Sequence, residues 1–203
     1  MLPEQFCVRM KEMLGEEYAA FYASYDLPKY QALRINPLKT ERDTFLQHAP
    51  FSLNRVPWTT NGYYYSGNDQ PGRHPYHEAG VYYIQEPSAM APAEYLMAEP
   101  GERILDLCAA PGGKSSQIAC SMQGEGLIVC NEIHPASATI LSETIERMGV
   151  CNALVTNETP QKLSDNFREY FDRILVDAPC SGEGMFRKNE DACDEWSPEN
   201  VEN

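Results

Sequence analysis

The sequence predicts an α/β fold, in which a doubly wound parallel sheet of strand order 3-2-1-4 follows a small N-terminal α+β domain. Three observations carry this reading. Four short apolar runs, 103–110, 127–133, 153–157 and 173–179, have the look of strands buried on both faces. Helical stretches at 114–122, 136–148 and 163–171 alternate with them. Before about Gly80 the pattern is different, with few apolar runs and a stretch rich in Gly, Pro, Asn and Tyr.

Taken in order, residues 3–23 place Phe6, Met10, Met13, Leu14, Tyr18 and Phe21 at helical spacing. Residues 29–37 read as a short strand ending at Pro37. A second helix is expected over 40–48, with Thr40 as N-cap and Asp43 in the first turn. Residues 57–75 read as loops and short hairpin strands. These elements form the expected first domain, 1–80. The second, 81–203, opens with an apolar helix over 87–97 and continues into the alternating pattern. No internal repeat or low-complexity segment interrupts either.

The chain has 203 residues, 42% of them hydrophobic and 10% aromatic, which suits a packed core and argues against disorder. Net charge is −14, unevenly spread. Residues 1–80 carry 8 Lys/Arg against 9 Asp/Glu, and residues 81–203 carry 8 against 21. The acidic second part suits a cationic ligand better than a polyphosphate, and it argues against tight RNA binding by this chain alone. The first residues, MLPEQFCVR, lack a secretory pattern, and no apolar run approaches a membrane span, so a cytoplasmic address is expected. Seven cysteines, at 7, 108, 120, 130, 151, 180 and 193, form no CxxC pair, and their odd number argues against a disulfide framework or a metal site. Most read as small buried hydrophobic side chains.

The run DLCAAPGGKSSQIA (106–119) is a strand, a loop of small residues and the start of a helix. Ala109, Ala110, Gly112 and Gly113 let a ligand approach the backbone, and the helix start offers free N–H groups. The run is neither GxxxxGK[ST] nor GxGxxG, so a nucleotide phosphate is not the obvious ligand. Glu132 ends the next strand, 19 residues after Gly113, where doubly wound folds hold ribose hydroxyls. The plain alternative is a tight βα turn and a solvated strand end. The exact run, with Lys114 beside it, favours a nucleoside site.

The fourth strand runs into Asp177-Ala178-Pro179-Cys180. In strand order 3-2-1-4 this end lies beside the glycine loop. Carbon 5 of cytosine is a poor nucleophile. A thiolate adding to carbon 6 makes it enamine-like and able to attack a sulfonium methyl, and removal of the C5 proton then expels the thiol. That chemistry needs a cysteine and a carboxyl group at the base edge, where charge builds on N3. Cys180 and Asp177 are one of each. The alternative is a small residue after a rigid turn and a capping aspartate.

Four runs together, LRINPLK (33–39), YYIQEPSAM (82–90), DLCAAPGGKSSQIA (106–119) and DAPCSGEGMFRK (177–188), resemble the Nol/Nop/Sun family of RNA cytosine-5 methyltransferases, and its bacterial RsmF-like branch in particular. The resemblance covers residue 30 to the end, and the last two runs are its most specific part. It implies a Rossmann-like class I methyltransferase fold and S-adenosylmethionine as cofactor. Cys108, Ala109, Ala110, Pro111, Gly112, Gly113 and Lys114 would then hold the methionine part, and Glu132 the ribose. Asp177 would lie by the base and the cofactor's methionyl end. Members often place an Asp after the third strand for the adenine amine. Asn157 and Glu158 stand there instead, and Asn157 is taken as the contact.

The implied partner is RNA, ribosomal ahead of transfer RNA. Tyr63, Tyr64, Tyr65, Tyr82 and Tyr83 are either base-stacking surface or packing. In this family the attacking cysteine lies in a later Thr-Cys motif, and the Pro-Cys thiol helps release product. No Thr-Cys dipeptide occurs here. The sequence is therefore expected to be incomplete and inactive by itself, with the fourth strand an open edge that a homodimer would be a second way to cover. A non-catalytic RNA-binding or assembly module that keeps the fold is the competing reading.

Overall fold

A computed structural model describes residues 2–187 and 191–202. Lys188, the end of the DAPCSGEGMFRK run, and Asn203 lie outside the described residues. The chain divides into two compact units, Tyr30–Asp177 and the paired terminal segments Met1–Lys29 and Ala178–Asn203.

The larger unit holds two sheets. Strands Ala32–Ile35 (β1), Leu53–Arg55 (β2), Gly62–Tyr65 (β3) and Tyr82–Ile84 (β4) pair antiparallel in the order β2-β3-β1-β4. All four β1 residues are buried. Side chains alternate across a strand, so Leu33 and Ile35 pack with Phe45, Tyr63 and Tyr82 on one face, while Ala32 meets Val56 and Met90 on the other. Arg34 shares that second face. Tyr63 and Tyr82 are core residues, and the Tyr82 hydroxyl donates to the Pro71 carbonyl at 2.7 Å, so packing is their role. The sheet takes its fourth strand from beyond Gly80, the boundary expected from composition. Pairing with β1, which composition does not report, puts β4 there.

Strands Arg103–Asp106 (β5), Leu127–Asn131 (β6), Ala153–Thr156 (β7) and Arg173–Leu175 (β8) form a parallel sheet in the order β7-β6-β5-β8, as the sequence predicts. One face packs Ile104 and Ile128 against Ile118 and Met122 of helix Gly113–Met122 and Leu141 and Ile145 of helix Pro135–Met148. On the other, Leu105 and Val129 meet Leu163, Phe167 and Phe171. β8 is an edge strand. It is not buried on both faces as its apolar sequence suggests, since Ile174 is 53% and Val176 57% exposed. A groove of about 580 Å³ runs beside it, lined by Leu105, Leu107, Phe167, Ile174 and Val176 among others.

Three element ends differ from expectation for local reasons. The helix expected over 3–23 breaks at Gly15, whose φ of 53° ends helix Glu4–Leu14 before Tyr18–Ala23 begins. The helix expected from Thr40 starts at Arg42 with Glu41 at its N-cap, because the Thr40 hydroxyl donates to the Glu41 carbonyl instead. The helix expected over 163–171 spans Pro160–Asn166, since the Thr159 hydroxyl accepts from the Lys162 amide at 3.3 Å and Pro160 suits the first turn.

In the terminal unit, Phe6 packs edge-on against Phe186 and Trp196, with ring centroids 5.0 and 5.8 Å apart. The Trp196 indole donates to Glu183 at 3.0 Å. This joins the first helix to the segment after 178. Among the described residues no helix is long and apolar enough to cross a membrane, and no group of His, Cys, Asp and Glu is placed to hold a metal ion.

Asn36, the residue after β1, is fully buried and fully bonded. Its Nδ2 donates to the Gly80 and Met148 carbonyls, both at 2.8 Å, and its Oδ1 accepts from the Leu38 amide at 3.0 Å and the Cys120 thiol at 3.4 Å. Gly80 has φ +68°, and a Cβ there would sit 2.1 Å from the Arg147 carbonyl oxygen, so only glycine fits. Asn36→Ala leaves two buried carbonyls without this donor, with an expected cost of about 2–4 kcal/mol in urea unfolding. A loss below roughly 0.5 kcal/mol, the usual surface scatter, contradicts this account of the seam.

Candidate functional site

Parallel pairing in register ends the strands at one level. Asp106 pairs with Cys130 on one side and Leu175 on the other, and Cys130 pairs with Val155. Main-chain geometry alone therefore gathers the loop after β5, Glu132 after β6, Asn157 after β7 and Asp177 just past β8. Such strand ends are where open α/β sheets bind ligands.

The loop is tied on both sides. The Leu107 amide donates to the Leu175 carbonyl at 3.0 Å and the Ala109 amide to the Asn131 carbonyl at 2.8 Å. The Ala110–Pro111 bond is cis. Gly112 is the N-cap of helix Gly113–Met122 with φ +105°, and a Cβ there would lie 2.9 Å from Thr144 Cγ2. Glycine is required both for the turn and for the close approach of the helix carrying Thr144. No side chain caps this helix, so its first N–H groups and the positive end of its dipole face the loop.

Buried Asn131 fixes the neighbouring strand ends. Its Nδ2 donates to the Leu107 and Glu158 carbonyls at 3.2 and 3.0 Å, and its Oδ1 accepts from the Thr156 hydroxyl and the Glu158 amide at 2.8 and 3.1 Å. Glu132 Oε1 accepts from the His134 amide at 2.9 Å, and Oε2 keeps no protein partner among the described residues. Asn157 Nδ2 donates to the Glu132 carbonyl at 2.6 Å, which leaves its Oδ1 as an acceptor. Glu158 pairs with Lys162 at 2.8 Å.

Asp106 is 1% exposed. One carboxylate oxygen accepts from the Ser115 hydroxyl at 2.7 Å, and the other, Oδ1, has no hydrogen-bond partner. Burial pushes its pKa up to about 6, against the opposing pull of Ser115 and the Lys114 cation. Lys114 pairs with Asp177, whose charge adds to the rise at Asp106. Burial also raises the Cys108 thiol, and Glu132, Asp106 and Asp177 add to it, so Cys108 is a neutral lining group rather than a thiolate.

The larger unit thus brings together Cys108, Ala109, Ala110, Pro111, Gly112, Gly113, Lys114, Glu132, Asn157 and Asp177 around one set of strand ends. Cys180 belongs to the other unit, where it is exposed and lines a cavity of about 690 Å³ with Pro179, Ser181, Gly182 and Glu195. Sequence reasoning missed Asp106 and Asn131. Their signal was a polar residue closing an otherwise apolar strand run, the position nearest the crevice.

Asp106 makes stability depend on pH. The folded carboxyl keeps its proton to about pH 6, whereas the unfolded chain releases it near 3.8. The stabilising contribution is whole below 3.8 and is lost as pH rises through 6. Asp106→Asn removes this slope. In urea unfolding the variant should gain on the parent by up to roughly 3 kcal/mol between pH 4 and pH 7. A pH-independent difference contradicts the burial argument.

The chain matches the family described as the N-terminal domain of 16S rRNA methyltransferase RsmF over residues 2–87, and 16S rRNA methyltransferase RsmB/F over residues 93–203. It is similar to the ribosomal RNA small subunit methyltransferase F of Escherichia coli O157:H7, at 36% identity over 97% of this chain and 43% of that protein. The chain thus spans under half the length of that relative. A solved structure of a methyltransferase homolog protein from Pyrococcus horikoshii shares 30% identity, covers 92% of this chain and 62% of its own, and superimposes with a TM-score of 0.80. NSun6 from Pyrococcus horikoshii superimposes at 0.83 over 98% of this chain and 76% of its own, with 19% identity, and speaks for the fold alone. The parallel sheet is that of class I methyltransferases. Over more than half its length, from the helix before β5 through the glycine loop and the Asp-Ala-Pro-Cys run, the chain belongs to the 16S rRNA methyltransferase RsmB/F family.

Proposed function

We propose that this chain is the cofactor-binding portion of an S-adenosylmethionine-dependent enzyme that methylates carbon 5 of a cytosine in ribosomal RNA. The observation that carries the reading is a pair of carboxylate oxygens beside the glycine loop that lack a hydrogen-bond partner among the described residues: the buried Oδ1 of Asp106 and the Oε2 of Glu132. A ligand with an ammonium at one end and ribose hydroxyls at the other satisfies both.

The residues fit that cofactor. The uncapped amides of the loop and helix Gly113–Met122 suit its carboxylate, and Asp106 Oδ1 suits its ammonium. Glu132 takes the ribose hydroxyls and Asn157 Oδ1 the adenine amine. When bound, the cofactor supplies an electrophilic methyl group on a sulfonium. Asp177 then stands at the base edge, where its carboxyl in protonated form donates to N3 as negative charge develops there, having left its ion pair with Lys114 as the base arrives. Cys180 belongs to the thiol chemistry at carbon 6, assisting release of product, as the Pro-Cys thiol does in the resembling family. The attacking thiol of that family, in a Thr-Cys dipeptide, has no counterpart in this sequence.

The same reading divides the chain into a small domain over 1–80 and a methyltransferase domain over 81–203, and it places the protein in the cytoplasm. Its partner is RNA, held weakly by this chain. The exposed β8 edge leaves a homodimer as one way to cover Ile174 and Val176. The competing reading is a non-catalytic RNA-binding or assembly module that keeps the fold, with the −14 charge weighing toward assembly rather than RNA binding. An RNA gel shift that needs no cofactor would support it.

Calorimetry tests the proposal. S-adenosylhomocysteine should bind the chain, Glu132→Ala should weaken it roughly 10- to 100-fold, and methyl transfer to 16S rRNA by this chain alone should be undetectable. Well-folded protein that gives no heat with either the cofactor or its demethylated product rules the reading out.

A further inference from the structure

Arg34 lies on β1, outside the parallel sheet, yet its side chain ends at the glycine loop. The guanidinium is 1% exposed and has no carboxylate partner among the described residues. Its Nη2 donates to the Gly113 carbonyl at 3.1 Å and the Ser116 hydroxyl at 2.8 Å, Nε donates to Gln85 Oε1 at 3.0 Å, and Nη1 meets only the Cys120 sulfur at 3.7 Å. Gln85 is itself fixed by donating to the Ala89 carbonyl at 3.1 Å. The Tyr83 ring completes the platform. Its centroid is 5.9 Å from the guanidinium carbon, and a Cβ on Gly113 would approach the ring to 3.1 Å.

A buried cation with no ion-paired carboxylate, only the longer-range pull of Glu94, is costly, and a methionine would fill the same space without that cost. What the guanidinium does that an apolar chain cannot is act on the loop. In a planar trans peptide the C=O and the following N–H point in opposite directions. The helix that opens at Gly113 aims the Lys114 N–H at the loop, and the Arg34 bond to the Gly113 carbonyl braces that peptide in a first turn that no side chain caps. The charge also stands behind the N-terminal end of helix Gly113–Met122, where it disfavours the helix dipole and favours an incoming anion.

We propose that Arg34 is a positioning residue for the cofactor loop: it orients the Gly113–Lys114 peptide and sets a buried positive charge behind it, so that the N-terminal sheet governs affinity for the carboxylate end of the ligand. This rests on the cofactor reading above. The consequence is selective. Arg34 matters for ligands that carry the amino-acid carboxylate and hardly for the nucleoside end.

The test titrates the full chain and its variants with S-adenosylhomocysteine and with 5′-methylthioadenosine, which lacks the amino-acid carboxylate. Arg34→Met should weaken the first roughly 10- to 30-fold and the second less than about 3-fold. Arg34→Lys keeps the charge but not the fork, so its loss should be intermediate, and it decides the matter where Arg34→Met does not fold. Asn36→Ala, whose bonds go to Gly80 and Met148, should lower stability and leave both affinities within roughly 2-fold. Equal losses for the two ligands, or a loss in Asn36→Ala matching that in the Arg34 variants, make Arg34 merely structural and overturn the proposal. Unchanged affinity in both Arg34 variants also overturns it, with the cofactor reading intact. A parent chain that binds neither ligand sinks the cofactor reading, and this proposal with it.

Discussion

Register between parallel strands is the constraint from which the site follows. Because β5 pairs Asp106 with both Cys130 and Leu175, the chain leaves the sheet at one level from all its central strands. Four separate segments therefore open onto the same crevice through main-chain register, which side-chain bonds such as Lys114–Asp177 and those of Asn131 then reinforce. A slip of one residue in β6 would send Glu132 to the opposite face and remove the acceptor beside the glycine loop. Asn131 makes such a slip costly. Its carboxamide satisfies groups from the loop after β5 and from the segment after β7 at once, and a shift would orphan all of them.

The electrostatics of the crevice are less acidic than the net charge implies. Lys114 offsets Asp177. Arg34 adds a cation on the far side of the loop. Positive charge therefore lies under the loop amides, with the Asp106 carboxyl beside them and the Glu132 acceptor further along the strand ends, an arrangement suited to an amino-acid group at the loop and hydroxyls at Glu132. The seam between the antiparallel sheet and the helices Gly113–Met122 and Pro135–Met148 is polar, built on Arg34 and Asn36. The two sheets of the larger unit are thus linked by directional bonds as well as by apolar packing.

Much of this was legible in the sequence, for identifiable reasons. Strands buried on both faces write themselves as unbroken apolar runs, so β5 and β6 were readable. β7 carries the same apolar pattern and was placed correctly, but it is an edge strand with Leu154 45% exposed rather than one buried on both faces. The glycine loop was readable because small residues and a Gly-Gly pair stand between an apolar strand run and a helix start. What escaped was pairwise. β4 joins the first sheet through β1, and no local pattern of Tyr82–Ile84 says which sheet a short strand will join. Arg34 and Asn36 sit in a run that reads as a plain strand end, and their partners lie 79 to 112 positions away in the case of Gly113 and Met148. Asp106 was hidden inside the motif itself, read as the end of a strand, whereas its burial and its empty Oδ1 are properties of the packed structure.

The central claim is that an adenosyl amino acid lies along the carboxyl ends of β5, β6 and β7. Amide chemical shifts of isotope-labelled protein titrated with S-adenosylhomocysteine test it most directly. Saturable shifts concentrated at 106–114, 131–134 and 157–158, with little change across β1–β3, are the expected result. Shifts that centre on the antiparallel sheet, or none in protein with well-dispersed spectra, would contradict it.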